Sequence, residues 1–365
     1  MPASTMPSLR RLVVKIGSNV LTRADGLPDL DRLSHLVDQV AHLRQQGTEV
    51  IVVSSGAVAA GRSLIQLPPK ADAVSSRQVL AAVGQVKLLS IYAGLFAGHA
   101  LTCAQVLVTK EDFRDRRHYQ NMKTCFLELL AAGVVPVVNE NDVVSVTELM
   151  FTDNDELAAL IAAQLGADAL VILSNVDGLF DGPPTTPGAQ VIREVAPGAT
   201  GLAQFVQASR SQFGRGGMLT KASMAQKVAR LGIHVYIANG TTPDILPGVV
   251  AGTALNTWFR PRPRTASETK TWLAHAHAAA TAVVTLNAGA VAALVAPGQA
   301  RSLLPVGVVS IEGEFQKGDI IHLIDEAGQP VGLGVAEYGA DKARERLGQQ
   351  RQRPLVHYDY LFVQS

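Results

Sequence analysis

Through the first 259 residues, short continuous apolar runs alternate with segments of helical period, and that alternation leaves the chain few ways to fold. The runs fall at residues 12–16, 50–53, 101–108, 134–138, 170–173 and 234–238. Runs that are apolar throughout, rather than at every second position, predict strands covered on both faces, as in a parallel sheet. Between them, Leu33, Leu36, Val37, Val40 and Leu43 recur at the i, i+3, i+4 spacing of one helix face within residues 30–46; residues 79–96 and 219–231 repeat the pattern. Strands alternating with helices predict an α/β three-layer sandwich around a mostly parallel sheet, with right-handed crossovers. Residues 143–151 break the alternation. They read as a short, partly polar hairpin, suited to be a flap over a site.

The pattern stops at Arg260-Pro261-Arg262-Pro263-Arg264, where alternating Arg and Pro forbid regular helix or an interior strand, so this segment reads as an extended linker. Beyond it, residues 282–286, 306–311, 320–324 and 331–336 are short strand-like runs between glycine-rich turns. The expected organisation is a domain over 1–259, a linker over 260–268 and a small β-rich domain over 269–365. A length of 365 residues with 47 % hydrophobic content suits two or three such units.

Charge narrows the partners. With 32 basic and 31 acidic residues the net charge is +1, which gives no whole-chain case for binding nucleic acid or an anionic membrane. The basic stretch 342–353 also contains Glu345, with Asp341 just before it, and suits a solvated helix. The two cysteines, Cys103 and Cys125, have no Cys or His at metal-ligand spacing and read as reduced thiols. His275 and His277, two residues apart on a helix-like run, point to different faces and make no metal pair. The first residues lack the apolar core of a signal peptide, and the apolar stretch 281–296, broken by Asn287 and Gly289, is too short to span a bilayer. The expected location is the cytoplasm.

Four stretches place polar or glycine residues just after strands, where open α/β sheets bind ligands. In Val14-Lys15-Ile16-Gly17-Ser18, a lysine inside an apolar strand is costly unless it meets an anion. Either it escapes at the strand end, or it reaches a phosphate with Gly17 admitting the backbone. Ser54-Ser55-Gly56-Ala57 leads into a helix, as a serine cap on a tight turn or as an anion site at the helix N-terminus. Asn139-Glu140-Asn141-Asp142 and Asp153-Asn154-Asp155 are turn chemistry singly. As a pair flanking a hairpin, they offer carboxylates for an ammonium and amides for a carboxylate, the needs of an α-amino acid. Gly214-Arg215-Gly216-Gly217-Met218, followed by Leu219, Thr220 and Lys221, is a glycine cradle beside a cation, without the ending of a Walker A loop.

Taken in order and spacing, these motifs resemble the amino-acid kinase family, and the tail resembles a PUA domain through residues 302–307, Gly313, Phe315 and Gly318-Asp319. The resemblance covers essentially residue 9 to the C-terminus, and the pair of Asn/Asp clusters is similar to the members that phosphorylate glutamate. It implies Lys15 and Lys221 as charge stabilisers and Asp155 as their organiser. It implies Ser55, Asn139, Asp142, Asp153 and Asn154 around glutamate. ATP would meet Lys15, Gly17, Ser174, Asn175 and residues 215–221, namely Arg215, Gly216, Gly217, Met218, Leu219, Thr220 and Lys221. Mg²⁺ would travel on the ATP phosphates, with no dedicated protein ligand set. The chain departs from common family patterns at Thr152, Asn175 and Arg215.

The activity this resemblance implies is ATP-dependent phosphorylation of the γ-carboxylate of L-glutamate to glutamyl 5-phosphate, the first step of proline biosynthesis. It also implies feedback by proline, a homo-oligomer (dimer or tetramer) and a reductase that takes the product, with no membrane partner. Two other readings stand beside it: another substrate within the family, and an RNA-binding protein whose kinase-like domain is secondary.

Overall fold

The computed structural model describes residues 9–68, 72–145, 151, 153–182, 186–199, 217–263, 282–296 and 301–363. The chain divides into two units, Met1–Thr265 and Ala266–Ser365.

In the first unit, eight strands among the described residues form one sheet. They are β1 (Arg11–Ile16), β2 (Glu49–Ser54), β3 (Cys103–Val108), β4 (Val135–Glu140), β5 (Ala169–Ser174), β6 (Glu194–Val195), β7 (His234–Asn239) and β8 (Asn256–Phe259), in the order β3-β4-β2-β1-β5-β7-β8-β6. From β3 across to β7 every pairing is parallel; β8 runs antiparallel to β7. The six continuous apolar runs are the six parallel strands, and β1, β4 and β5 are buried almost throughout because helices cover both faces. The strands β6 and β8 are new: two and four residues long, they carry too little pattern to be read in advance.

The helices described alongside the sheet are α1 (Ser18–Leu21), α2 (Leu30–Gln45), α3 (Ala57–Arg62), α4 (Ala73–Ala97), α5 (Lys110–Arg114), α6 (Arg116–Ala131), α7 (Asn154–Gln164), α8 (Met218–Arg230) and α9 (Ile245–Val250). Helices α2, α3, α4 and α9 pack on the face that carries Leu12, Val14, Ile16, Val50 and Val52. Lys15 therefore points to the other face, which α7 covers. Helix α4 starts six residues before the stretch read as helical: Asp72 caps it, accepting from the N–H groups of Val74 and Ser75. Those first turns are mostly exposed and show no apolar stripe, but they carry Arg77. By length and composition alone α4 could cross a membrane; here Leu88, Tyr92 and Phe96 lie buried in the core under the sheet.

The second unit holds β9 (Ala282–Leu286), β10 (Val308–Gly313), β11 (Ile320–Asp325), β12 (Pro330–Val335) and β13 (Leu361–Val363) in the order β10-β9-β11-β12-β13. Its core gathers Val284, Leu286, Ile321, Leu323, Val331 and Val356. The small β-rich domain expected from the sequence is thus present, and the first unit is the expected α/β sandwich.

Several expectations fall on residues outside those described: the hairpin between 146 and 150, Thr152, Arg215, Gly216, His275, His277 and the linker beyond residue 263.

Candidate active site

Two lysines from different elements meet on one buried carboxylate. Asp155 lies in the first turn of α7 and has no solvent exposure. Its Oδ1 is 2.6 Å from Nζ of Lys15, and its Oδ2 accepts a hydrogen bond from Nζ of Lys221 on α8. Burial by itself would raise the pKa of Asp155. The ammonium groups of Lys15 and then Lys221, with their hydrogen bonds, outweigh that and hold it at about 2. Asp153 caps α7, accepting from the N–H groups of Asp155 and Glu156. Its pKa moves up, first through burial and second through the charge of Asp155, with both lysines opposing.

Beside this set runs a chain of amides. Asn154 donates through Nδ2 to Oγ of Ser55 (2.9 Å), to the Ser54 carbonyl (3.1 Å) and to Oδ1 of Asn139 (3.1 Å). Asn139 in turn donates through its own Nδ2 to Oε1 of Gln85, 2.9 Å away on α4. The left-handed conformation of Gly56 (φ 108°) turns the chain from β2 into α3 and presents Ser55 to the site, a conformation that favours glycine. Ser54 is anchored below it by Tyr92, hydroxyl to hydroxyl at 2.8 Å.

One cavity of about 930 Å³ lies over the carboxyl ends of β1, β2, β4 and β5. Lys15, Gly17, Ser55, Asn139, Asp142, Asp153, Asn154, Ser174, Asn175, Gly217, Met218 and Lys221 all line it. The strand order reverses direction at β1, with β2 on one side and β5 on the other, so the cavity sits at a topological switch point. Asp155 does not line it; the carboxylate stands behind the two lysines. Leu219 and Thr220 do not line it either, following Met218 into α8. The Asn175 Oδ1 lies 3.5 Å from Oγ of Ser174.

Two residues at the site carried no sequence signal. Gln85 and Arg77 both come from α4, and their partners Asn139 and Asp142 lie far along the chain. Arg77 donates through Nε (3.0 Å) and Nη2 (2.6 Å) to Oδ1 of Asp142, and its Nη2 is 3.6 Å from Oε2 of Glu140. Only the packing of α4 against the end of β4 and the loop after it reveals them.

A sheet of this order, with two lysines and glycine turns over its carboxyl edge, places an anion-binding site where open α/β sheets bind ligands. Residues 10–239 match the model of the amino acid kinase family, and residues 282–355 match that of the PUA domain. The chain belongs to the amino acid kinase family and is a kinase with a PUA domain. A protein named glutamate 5-kinase from Chlorobaculum tepidum is 49 % identical over 98 % of this chain and 98 % of its own. Another of that name, from Bacteroides thetaiotaomicron, is 48 % identical over 97 % and 98 %. Among solved structures, carbamate kinase from Giardia lamblia bound to AMP-PNP is similar in fold, with a TM-score of 0.51 and 17 % identity over 70 % of this chain and 100 % of that one.

Proposed function

We propose that this kinase transfers the terminal phosphoryl group of ATP to the γ-carboxylate of L-glutamate, giving ADP and glutamyl 5-phosphate. The observation that carries the reading is the lysine pair on Asp155 set against the amide and carboxylate cluster of Ser55, Asn139, Asp142 and Asn154 in one cavity. The names of the two full-length relatives point the same way.

The chemistry asks for little beyond placement. The γ-carboxylate oxygen is already a nucleophile, so no base has to remove a proton. It forms a bond to the terminal phosphorus as the bond from that phosphorus to the bridging oxygen breaks, and ADP leaves with the electron pair. Lys15 and Lys221 counter the negative charge of two anions brought together and the charge spread over the transferring group. Asp155 holds both lysine side chains in place, so that they are positioned before substrate arrives. Ser55, Asn139 and Asn154 bind and orient the amino acid, while Gly17, Ser174, Asn175 and the start of α8 at Gly217 and Met218 cradle the nucleotide, with Arg215 and Gly216 just upstream.

The donors present fit Mg²⁺ that arrives on nucleotide phosphates. Among the described residues, no group of three or more His, Cys, Asp or Glu could cage a metal, whereas Oδ2 of Asp153 is buried without a hydrogen-bond partner. Bound there, the ion would add positive charge at the phosphate oxygens.

In this reading residues 1–259 are the catalytic domain, 260–268 a linker and 269–365 the PUA-like tail. The acyl phosphate product suits the first step of proline biosynthesis, with hand-over to a reductase, inhibition by proline, a dimer or tetramer and a cytoplasmic location where ATP is supplied. Feedback fails as an idea if millimolar proline leaves the rate unchanged at subsaturating glutamate.

The test of the reaction is hydroxylamine trapping. Purified protein with ATP, Mg²⁺ and glutamate should form a hydroxamate, with acetylglutamate and aspartate as controls. Hydroxamate from a control substrate alone would move the protein elsewhere in its family.

A further inference from the structure

We propose that Arg77 reads the α-carboxylate of the substrate while fixing Asp142 for the α-ammonium group, and so decides that the acceptor is a free α-amino acid. The inference rests on the reading of the cavity as a glutamate site.

The first argument is what remains unpaired. A guanidinium carries five N–H donors in a rigid fork. Arg77 spends Nε and one Nη2 proton on a single oxygen, Oδ1 of Asp142. Among the described residues, Nη1 of Arg77 donates to nothing, and Oδ2 of Asp142 accepts from nothing. Both side chains line the cavity. The pair thus leaves one donor edge and one acceptor oxygen side by side, the complement of a carboxylate and an ammonium on one carbon.

Charge supports the same assignment. The loop after β4 brings two carboxylates together, Glu140 and Asp142, both buried. Arg77 touches both of them. Asp142 alone would attract an ammonium but repel the carboxylate beside it; the guanidinium removes that repulsion. Of the other lining arginines, Arg23 is paired with Asp25 and Arg62 is exposed at the end of α3. Gln78, the next residue on α4, donates to the Val143 carbonyl at 2.8 Å and fastens the same helix turn to the same loop.

Placement completes it. Lys15 lies on β1 and the Asn139–Asp142 segment spans the carboxyl end of β4, with β2 between them. Two strand spacings amount to about 10 Å. Lysine and arginine reach inward from the two sides, leaving room for a five-carbon diacid with its γ-carboxylate at the lysines and its α-groups at Arg77 and Asp142.

The experiment compares wild type, Arg77→Ala and Arg77→Lys with three compounds. These are L-glutamate, 4-aminobutyrate (glutamate without the α-carboxylate) and glutarate (glutamate without the amine). The last two are read both as hydroxamate-forming substrates and as competitors of glutamate. In Arg77→Ala, the KM for glutamate should rise about tenfold to a hundredfold, the worth of a charge-assisted hydrogen bond. Glutarate, which keeps the α-carboxylate, should weaken alongside it, 4-aminobutyrate, which depends on Arg77 only through Asp142, should weaken less than either, and Arg77→Lys should recover part of the loss. If glutamate and 4-aminobutyrate weaken together while glutarate does not, Arg77 merely holds Asp142 and the proposal falls. An unchanged glutamate KM overturns it as well. Wild-type protein that makes no hydroxamate from glutamate overturns the substrate reading, and this proposal with it.

Discussion

Nζ of Lys15, in the middle strand of the sheet, lies 2.6 Å from Oδ1 of Asp155 at the start of α7, and both side chains are buried. A buried ion pair adds little net stability by itself, because the desolvation of both partners offsets their attraction. Its value here is geometric. The carboxylate also engages Lys221, so one group fixes two cations that arrive from opposite directions along the chain.

Either lysine should be needed for turnover. Lys15→Ala or Lys221→Ala is expected to lower kcat by roughly 10²–10³, as losing one preorganised charge stabiliser does elsewhere. The check is steady-state hydroxamate formation with saturating substrates; near-normal kcat in either folded variant would remove that lysine from the chemistry.

Removing the carboxylate between them should cost stability as well as rate. Asp155→Asn leaves two ammonium groups without their buried partner, a loss on the order of 3–5 kcal/mol. The pH sign comes from its depressed pKa. The stability that ionised Asp155 contributes is present above its ordinary value of 3.8 and is lost as pH falls through about 2. Acid unfolding of the wild type between those values should be steeper than that of the variant.

Asp153 should behave in the opposite sense. Its pKa is raised, so its ionisation costs stability once the pH exceeds its ordinary value of 3.8. Asp153→Asn keeps an N-cap acceptor for α7 and removes a buried charge beside Asp155. Its melting temperature should exceed that of the wild type at neutral pH, and the gain should vanish below about pH 4. A gain that persists in acid would rule out this electrostatic cause.

Gln85 should tune substrate affinity from outside the cavity. In Gln85→Leu, the buried Nδ2 of Asn139 loses its acceptor, at a cost of roughly 1–3 kcal/mol. The freed amide then orients Asn154 less well. The KM for glutamate should rise more than the KM for ATP, which initial-rate kinetics would show; equal changes in both would indicate general loosening.

Two glycines on α4 make a paired test of packing. A Cβ on Gly84 would lie 1.8 Å from the Ala57 carbonyl oxygen and 2.4 Å from the Gly61 nitrogen, so α3 and α4 must part. Gly84→Ala should cost ~1–3 kcal/mol or more and disturb Ser55 just ahead of α3. At Gly94 on the same helix a Cβ meets nothing within 4 Å. There alanine should stabilise by about 1 kcal/mol, since it merely restores helix propensity. Thermal denaturation of both variants reads the contrast.

The layout of the chain was legible in the order of its residues. Six continuous apolar runs suited strands covered on both faces, and they are the six parallel strands; the short runs from residue 282 onward suited a β-rich unit. The same order pointed to the cavity's polar residues, because Lys15, Ser55 and Asn139 each sit at or just past the end of a parallel strand, and parallel strands end on one edge. Which groups meet is settled by packing. That Lys15 and Lys221 share Asp155 depends on the face of β1 that α7 covers. That Arg77 holds Asp142, and Gln85 holds Asn139, depends on where α4 passes the end of β4 and the loop after it. Neither Arg77 nor Gln85 sits in a local pattern of turn, cap or glycine loop. Their significance comes from contacts between segments far apart in the chain, and periodicity carries no record of such contacts.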